Sequence, residues 1–144
     1  QSALHANFEY CNILIMSAAV ADARAANYSD QKIRKESLNQ VDLEKNPDIL
    51  KTLSGIKKIG QIIVGFAAET SADITTLEQS GHEKLLSKSL DLIYVNNVSG
   101  GAIFGSDQTQ GLIIDNQKKV IQVPEISKDT LSDILLDQLV SKLG

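Results

Sequence analysis

Three short runs of apolar residues stand out along the chain, separated by longer segments in which apolar and polar residues mix. The runs cover residues 13–16, 62–64 and 92–95, and none of them alternates with polar residues. Continuous apolar runs of this length are typical of parallel strands that helices cover on both faces. The pattern therefore predicts three buried parallel strands.

Apolar residues at helical spacing lie between and after these runs. The triplet Asn46-Pro47-Asp48 predicts a helix start, with Asn46 as the N-cap and Pro47 at the first helical position. Further helices are predicted over 71–87 and near the C-terminus, and residues 112–123 predict a β-hairpin with a turn at 115–117. The residues predicted to face inward from the helices are Ile49, Leu50, Leu53, Ile56, Ile74, Leu77, Leu85, Leu131, Ile134, Leu135, Leu139 and Leu143.

Together these elements predict an α/β fold with three layers. We expect one Rossmann-like domain over 1–144, with a mainly parallel sheet and a β-hairpin near the C-terminus. Residues 1–8 are typical of the end of a helix that runs directly into a strand. Because an α/β domain normally opens with its own strand, we expect an N-terminal part of the domain to be absent.

Composition and charge narrow the classes of function. The chain has 144 residues, a formal net charge of -4, a single cysteine and no apolar stretch long enough to span a membrane. The negative charge argues against a nucleic-acid binder, which needs a basic face. One cysteine excludes an internal disulfide and a CxxC metal site, and a reducing cytoplasm is the expected compartment.

Small or polar residues follow each predicted strand, at 17–19, 65–68 and 96–99. In open α/β sheets, ligands bind just beyond the carboxyl ends of the strands, and small side chains there let a ligand approach the backbone. Two segments without a predicted element, 23–45 and 99–111, also follow strands and are interpreted as loops over such a site.

The charged residues near these strand ends leave two interpretations open. The run Lys32-Ile33-Arg34-Lys35 is either a solvated cluster or a flap that brings positive charge to a phosphate. Lys84 and Lys88 share one helical face, either as surface residues or, because Lys88 lies close to the third predicted strand, near the edge of the sheet. Asp22 is either a cap or a ligand of a ribose or metal. The common phosphate motifs are absent. These residues alone indicate a nucleotide-binding α/β domain.

Seven segments, taken in order, resemble the phosphopantothenoylcysteine synthetase family. They lie at 17–22, 32–35, 45–50, 64–70, 84–93, 96–99 and 104–107, and they cover nearly the whole chain. Each segment is weak by itself, but seven at family-like spacings are specific. The resemblance implies a ligase that uses CTP to join 4′-phosphopantothenate to L-cysteine in coenzyme A biosynthesis.

The resemblance also implies the chemistry and the partners. The carboxylate of 4′-phosphopantothenate attacks the α-phosphate of CTP, and the cysteine amine then displaces CMP from the acyl-cytidylate. Mg²⁺ accompanies the triphosphate, the enzyme is a homodimer, and in many bacteria it is fused to a flavin-dependent decarboxylase, to which FMN would belong.

Site residues carry over from the family by position. Lys32 resembles the flap lysine that helps to form the acyl-cytidylate. The residues that resemble contacts to CTP are Met16, Ser17, Ala18, Asp22, Pro47, Asp48, Ile49, Leu50, Phe66, Lys84 and Lys88. No metal ligand is assigned.

Two departures from the family pattern are present. Asn97 stands where the family usually has an aspartate, and the N-terminal strand with its Gly/Ser-rich loop is absent. Because that loop carries an asparagine that acts on the acyl intermediate, this chain is expected to bind CTP without necessarily completing the ligation. The alternatives are a Rossmann-type NAD(P)-dependent oxidoreductase and a non-catalytic nucleotide-binding module.

Overall fold

The computed structural model describes residues 1–34, 40–71, 73–99 and 105–143. Eleven helices and strands lie within these ranges. In chain order they are α1 (Ser2–Phe8), β1 (Ile13–Met16), β2 (Ala23–Ala25), β3 (Leu43–Lys45), α2 (Ile49–Ser54), β4 (Ile62–Glu69), α3 (Ile74–Ser87), β5 (Leu92–Asn97), β6 (Gln108–Asp115), β7 (Val120–Ser127) and α4 (Lys128–Leu143).

A five-stranded sheet in the order β1-β4-β5-β6-β7 forms the centre of the fold. The strands β1, β4 and β5 are parallel neighbours, with Ile13 opposite Ile62 and Val64 opposite Leu92. The hairpin β6–β7 adds two antiparallel strands beside β5. The predicted Rossmann-like α/β class, with its parallel strands and C-terminal hairpin, is confirmed. Burial is confirmed for β4 and β5 but not for β1, an edge strand in which Leu14 alone is buried.

Helices cover both faces of the sheet and make the fold three-layered. On one face, α1, α2 and α3 bury Phe8, Leu53 and Leu85 against Ile63 and other residues of the strands. On the opposite face, α4 packs the buried side chains of Leu131, Leu135 and Leu139 against the sheet. Because the strands are covered on both sides, their sequences are apolar without alternation.

The two edge strands of the sheet differ in character. The strand β1 is short and wholly apolar, and Ile15 in it is 43% exposed. The opposite edge strand, β7, carries Pro124 beside a shift in its register with β6. A proline lacks the N–H that a strand ladder needs, and sheets tolerate it mainly at edges and bulges.

Several predicted boundaries and inward-facing positions are wrong. The strands β4 and β5 run on to Glu69 and Asn97, because parallel pairing between Phe66 and Tyr94 and between Ala68 and Asn96 continues the ladder. Three residues predicted to face inward are exposed: Ile56 follows the end of α2, while Ile74 and Leu143 lie at the ends of α3 and α4.

The polar segment at 23–45, which was interpreted as a loop, contains two short strands among its described residues. The strands β2 and β3 pair antiparallel within it, with Arg24 opposite Glu44. No apolar pattern predicted this ribbon, since its residues are mostly exposed. Lys35 and Phe104, which belong to two of the family-like segments, lie outside the described residues. Within the described ranges, no helix is long and apolar enough to cross a bilayer.

Candidate functional site

A cavity of about 530 Å³ lies at the carboxyl ends of β1 and β4. Its wall is built from the segment after β1, the start of α2, the second half of β4 and the C-terminal end of α3. Ten of the eleven residues predicted to contact a nucleotide line it, namely Met16, Ala18, Asp22, Pro47, Asp48, Ile49, Leu50, Phe66, Lys84 and Lys88. The sheet topology therefore brings these distant segments together at the edge where ligands of such folds bind.

Asn46 fastens the segment after β1 to the start of α2. Its side-chain amide donates to the carbonyl of Ala21 at 2.7 Å, and its backbone N–H donates to the carbonyl of Asp22 at 2.8 Å. The side-chain oxygen accepts from Arg24 Nη1 at 2.7 Å. The prediction of Asn46 as the helix N-cap is wrong, because its side chain is engaged in this cross-link and the helix begins later.

Asp48 is the N-cap of α2 and also forms an ion pair. Its Oδ1 accepts from the backbone N–H of Lys51 at 3.1 Å, and its Oδ2 lies 3.2 Å from Lys88 Nζ. Burial raises the pKa of Asp48, but the hydrogen bond from Lys51 and the ion pair with Lys88 lower it by more, so the pKa lies below its usual value. Asp48 is thus an ionised carboxylate directed at a lysine of the cavity.

Glu69 makes the corresponding contact with the other lysine. Its Oε1 accepts hydrogen bonds from Lys84 Nζ and, at 2.6 Å, from the hydroxyl of Ser80 one turn earlier on α3. These two hydrogen bonds lower the pKa of Glu69 and outweigh the opposite effect of burial. No local pattern in the sequence predicts a role for Glu69, although it lies in one of the family-like segments.

Ser17 lines a second cavity, of about 710 Å³, on the face of the sheet covered by α4. Phe66 borders both cavities and contacts Tyr94 edge-to-face, with ring centroids 5.9 Å apart. The Tyr94 hydroxyl is hydrogen-bonded to Thr109 Oγ1 at 2.7 Å, and burial raises the pKa of Tyr94 despite that bond. Thr109 in turn donates to Asn96 Oδ1 at 3.2 Å.

Lys32, the predicted flap lysine, is exposed and is not among the residues that line either cavity. Arg34 is also exposed. The structure therefore does not bring these two cations to the cavity that holds Lys84 and Lys88, and the role of Lys32 stays a prediction.

Another cavity, of about 540 Å³, lies at the amino ends of the parallel strands, opposite the first cavity. It is lined by Asp91, which accepts hydrogen bonds from Lys57 Nζ at 2.6 Å and from the backbone N–H of Ile63 at 2.8 Å. Asn116 Nδ2 donates to the same carboxylate at 3.3 Å. These residues link the end of α2, the start of β4 and the hairpin turn, an arrangement that indicates a structural role.

The fold and the first cavity define a Rossmann-like domain with a ligand site at the carboxyl ends of its strands. Residues 1–143 match the family described as the DNA/pantothenate metabolism flavoprotein C-terminal domain. The chain belongs to this family, and the family resemblance that the seven segments indicated is confirmed.

Relatives carry the name coenzyme A biosynthesis bifunctional protein CoaBC. The protein from Escherichia coli K12 is 34% identical over 155 aligned positions, which cover 99% of this chain and 35% of that protein. The protein from Bacillus subtilis 168 is 36% identical over 136 positions, covering 93% of this chain and 32% of that protein. The chain thus spans about a third of the length of these curated relatives.

Solved structures show the same fold. The crystal structure of the C-terminal domain of a CoaBC protein aligns with a TM-score of 0.73 and 26% identity, covering 96% of this chain and 58% of that domain. A DNA/pantothenate metabolism flavoprotein from Streptococcus pneumoniae aligns with the same TM-score at 18% identity, which supports the fold alone.

Proposed function

We propose that this domain is the synthetase part of a coenzyme A biosynthesis protein and acts as a CTP-dependent phosphopantothenate–cysteine ligase. The observation that carries the proposal is the first cavity, which gathers two lysines, two aspartates and a wall of small residues at the carboxyl ends of β1 and β4. Membership of the family and the CoaBC relatives support it.

In the proposed reaction, a carboxylate oxygen of 4′-phosphopantothenate attacks the α-phosphorus of CTP, and pyrophosphate leaves. The amine of L-cysteine then attacks the acyl carbon and loses a proton, and CMP leaves with the bonding electrons. A carboxylate is a poor acyl donor, so it must first acquire this leaving group. The site has to neutralise phosphate charge and hold both reactants in place.

The residues of the first cavity suit the triphosphate end of CTP. Lys84 and Lys88 supply positive charge as compact ammonium groups. In this proposal the backbone at Met16 and Ala18, with Phe66, contacts the nucleoside, while Lys32 approaches from the flap. Not every backbone N–H at the start of α2 is available to a phosphate, since the N–H of Lys51 donates to Asp48.

Mg²⁺ fits the carboxylates of this cavity only as a companion of the phosphates. Asp22 and Asp48 line the cavity, and among the described residues no group of three or more His, Cys, Asp or Glu side chains is placed to hold a metal. Mg²⁺ commonly binds through one or two carboxylates together with substrate phosphates and water. Bound in that way, it would supply charge neutralisation at the phosphates.

The remaining parts of the proposal concern the whole protein. We propose that an N-terminal strand and a Gly/Ser-rich loop complete the acyl site, that the enzyme is a cytoplasmic homodimer, and that it is fused to or associated with a flavin-dependent decarboxylase. FMN would belong to that decarboxylase. The outer side of β1 is apolar and pairs with no other strand in the described part of the chain, which is compatible with an additional strand.

Isothermal titration of this chain with CTP, with and without Mg²⁺, tests the proposal directly. We expect saturable binding of CTP that Lys84→Ala or Lys88→Ala weakens by roughly tenfold, because hydrogen bonds to charged groups contribute most to such a site. Lys58→Ala is the matched control, since it removes one exposed lysine near the amino ends of the parallel strands, away from the first cavity.

The titration also separates the competing functions. Preferential binding of NADPH would favour an oxidoreductase, and equal binding of ATP would remove the assignment of CTP. The absence of binding to any of the three nucleotides, repeated on a chain that includes the proposed N-terminal segment, would favour a non-catalytic α/β interaction module in which the lysines are only solvated charges.

A further inference from the structure

Both lysines of the first cavity are held by carboxylates from other elements. Lys84 on α3 contacts Glu69 at the end of β4, and Lys88, the C-cap of α3, lies 3.2 Å from Asp48 at the start of α2. The ionisable side chains that line the cavity are Asp22, Asp48, Lys84 and Lys88, whose formal charges sum to zero. Among the described residues that line this cavity, an anion therefore meets no lysine without a carboxylate partner.

Each of the two carboxylates also has a second hydrogen-bond donor. Glu69 Oε1 accepts from the hydroxyl of Ser80 at 2.6 Å, and Asp48 Oδ1 accepts from the N–H of Lys51 at 3.1 Å. These bonds remain if the lysine moves to another anion. The carboxylates then stay hydrogen-bonded and ionised, so an exchange of partners avoids the free-energy cost of leaving a part-buried charge without any donor.

The side chains in these ion pairs are exposed enough for such an exchange. The exposed fractions are 41% for Lys84 and 24% for Glu69, and they are 35% for Lys88 and 40% for Asp48. Ion pairs with this degree of exposure are weak, because water screens them and two side chains must be held in one geometry. A phosphate group, which carries more charge and more acceptor oxygens than a carboxylate, can compete for the ammonium groups.

We propose that Glu69 and Asp48 are positioning residues that hold Lys84 and Lys88 at the cavity as stand-in anions and release them to the phosphate groups of the ligand. This inference rests on the proposed function in that the ligand is a nucleoside triphosphate. It adds a specific role for Glu69 and a second role for the helix cap Asp48. The two lysines are pre-oriented, and every bound phosphate displaces a carboxylate.

The test compares the affinities of single and double variants for tripolyphosphate and for CTP by isothermal titration at low ionic strength. Glu69→Gln removes the competing charge and keeps an oxygen that can accept from Ser80. We expect it to tighten the binding of metal-free tripolyphosphate roughly two- to fivefold, in keeping with the strength of a part-exposed ion pair. Glu83→Gln on α3 is the matched control, because it makes the same change of net charge at a residue whose side chain accepts, in the described part of the chain, from Gln79 alone.

A double-mutant cycle isolates the contact with Lys84. In a Lys84→Ala background, Glu69→Gln should bring no gain in affinity beyond that of Glu83→Gln, because the lysine it releases is absent. Asp48→Asn, which retains a capping side chain, should show the same dependence on Lys88. Thermal unfolding of each variant verifies that the fold is retained.

Three outcomes would overturn the inference. If Glu69→Gln and Glu83→Gln change the affinity equally, or if the gain from Glu69→Gln persists without Lys84, only overall charge is involved and Glu69 does not position the lysine. CTP binding in either case would leave the proposed function standing. Binding of neither probe by any variant would overturn both the inference and the proposed function.

Discussion

Asp115 is the last residue of β6, and its carboxylate contacts both the hairpin turn and α4. One carboxylate oxygen accepts from the backbone N–H groups of Gln117 and Lys119, both at 2.9 Å, and the other lies 3.4 Å from Lys142 Nζ. Burial raises the pKa of Asp115, but these donors lower it by more, so the pKa lies below its usual value. The ionised side chain thus ties the turn to α4.

Stability should depend on pH through this residue. Because the folded-state pKa is lower than the unfolded-state pKa, the stabilisation is complete above about pH 4 and is lost as the pH falls through the folded-state value. We expect Asp115→Asn to lower the free energy of unfolding by about 2 kcal/mol at pH 7 and by clearly less at pH 3. Urea unfolding at both pH values measures this, with the exposed Asp137→Asn as control, and equal losses at the two pH values would contradict it.

The cations of the candidate site were easier to predict than their partners. Lys84 and Lys88 are four residues apart, so their shared face follows from helical geometry alone. Glu69 and Asp48 reach them from a strand and from another helix, and the sheet register that brings them together has no local signal. The same reasoning explains the error at Asn46, whose long-range bonds to Ala21 and Asp22 replaced the local capping role.

At the scale of elements, the close approach of α3 to the sheet depends on Gly81. A Cβ atom at this position would come within 2.5 Å of Ile114 Cδ1 and 2.7 Å of Val95 Cγ2. Both contacts come from buried strands, β6 and β5, that lie directly under the helix. Glycine is otherwise unfavourable inside a helix, so its presence here reflects packing.

Gly81→Ala should therefore destabilise the protein although alanine favours helices. Alanine gains about 1 kcal/mol of helix propensity, whereas overpacking a well-packed core costs roughly 1–3 kcal/mol. We expect a net loss of about 1 kcal/mol in the free energy of unfolding, measured by chemical denaturation. Thr75→Ala, at an exposed position of the same helix, is the control, and a Gly81→Ala protein as stable as that control would refute the packing argument.

Element types could be predicted from the sequence better than element ends. The strand β1 was located fully, because its apolar run is bounded by polar residues on both sides. The ends of β4 and β5 were missed, because Phe66 to Glu69 and Asn96 to Asn97 remain in the ladder by pairing with each other. The ribbon β2–β3 was missed since its exposed residues carry no pattern of burial.

At the scale of the whole molecule, the carboxyl ends and the amino ends of the parallel strands have separate functions. The carboxyl ends carry the candidate site, while at the amino ends Asp91 joins Lys57, the backbone of Ile63 and Asn116. The side chains of Lys57 and Asp91 are only 25% and 13% exposed. The ion pair of Lys57 and Asp91 thereby lies away from the residues proposed to bind the ligand.

This separation can be measured with Asp91→Asn. We expect the free energy of unfolding to fall by about 2 kcal/mol, because a part-buried ammonium loses its charged partner. The affinity for CTP under native conditions should change less than twofold. Glu9→Gln is the control: it breaks the exposed ion pair with Lys58 at the same end of the strands and should affect neither quantity. A large loss of CTP affinity in Asp91→Asn would show that the two ends of the strands are coupled.

The two edge strands, β1 and β7, differ in how readily each can pair with a further strand. On the β7 side, Pro124 and the irregular register discourage pairing with another strand. On the β1 side, the strand is apolar and contains neither proline nor charge, and no strand among the described residues pairs with its outer side. A further strand can therefore extend this sheet beside β1 more readily than beside β7.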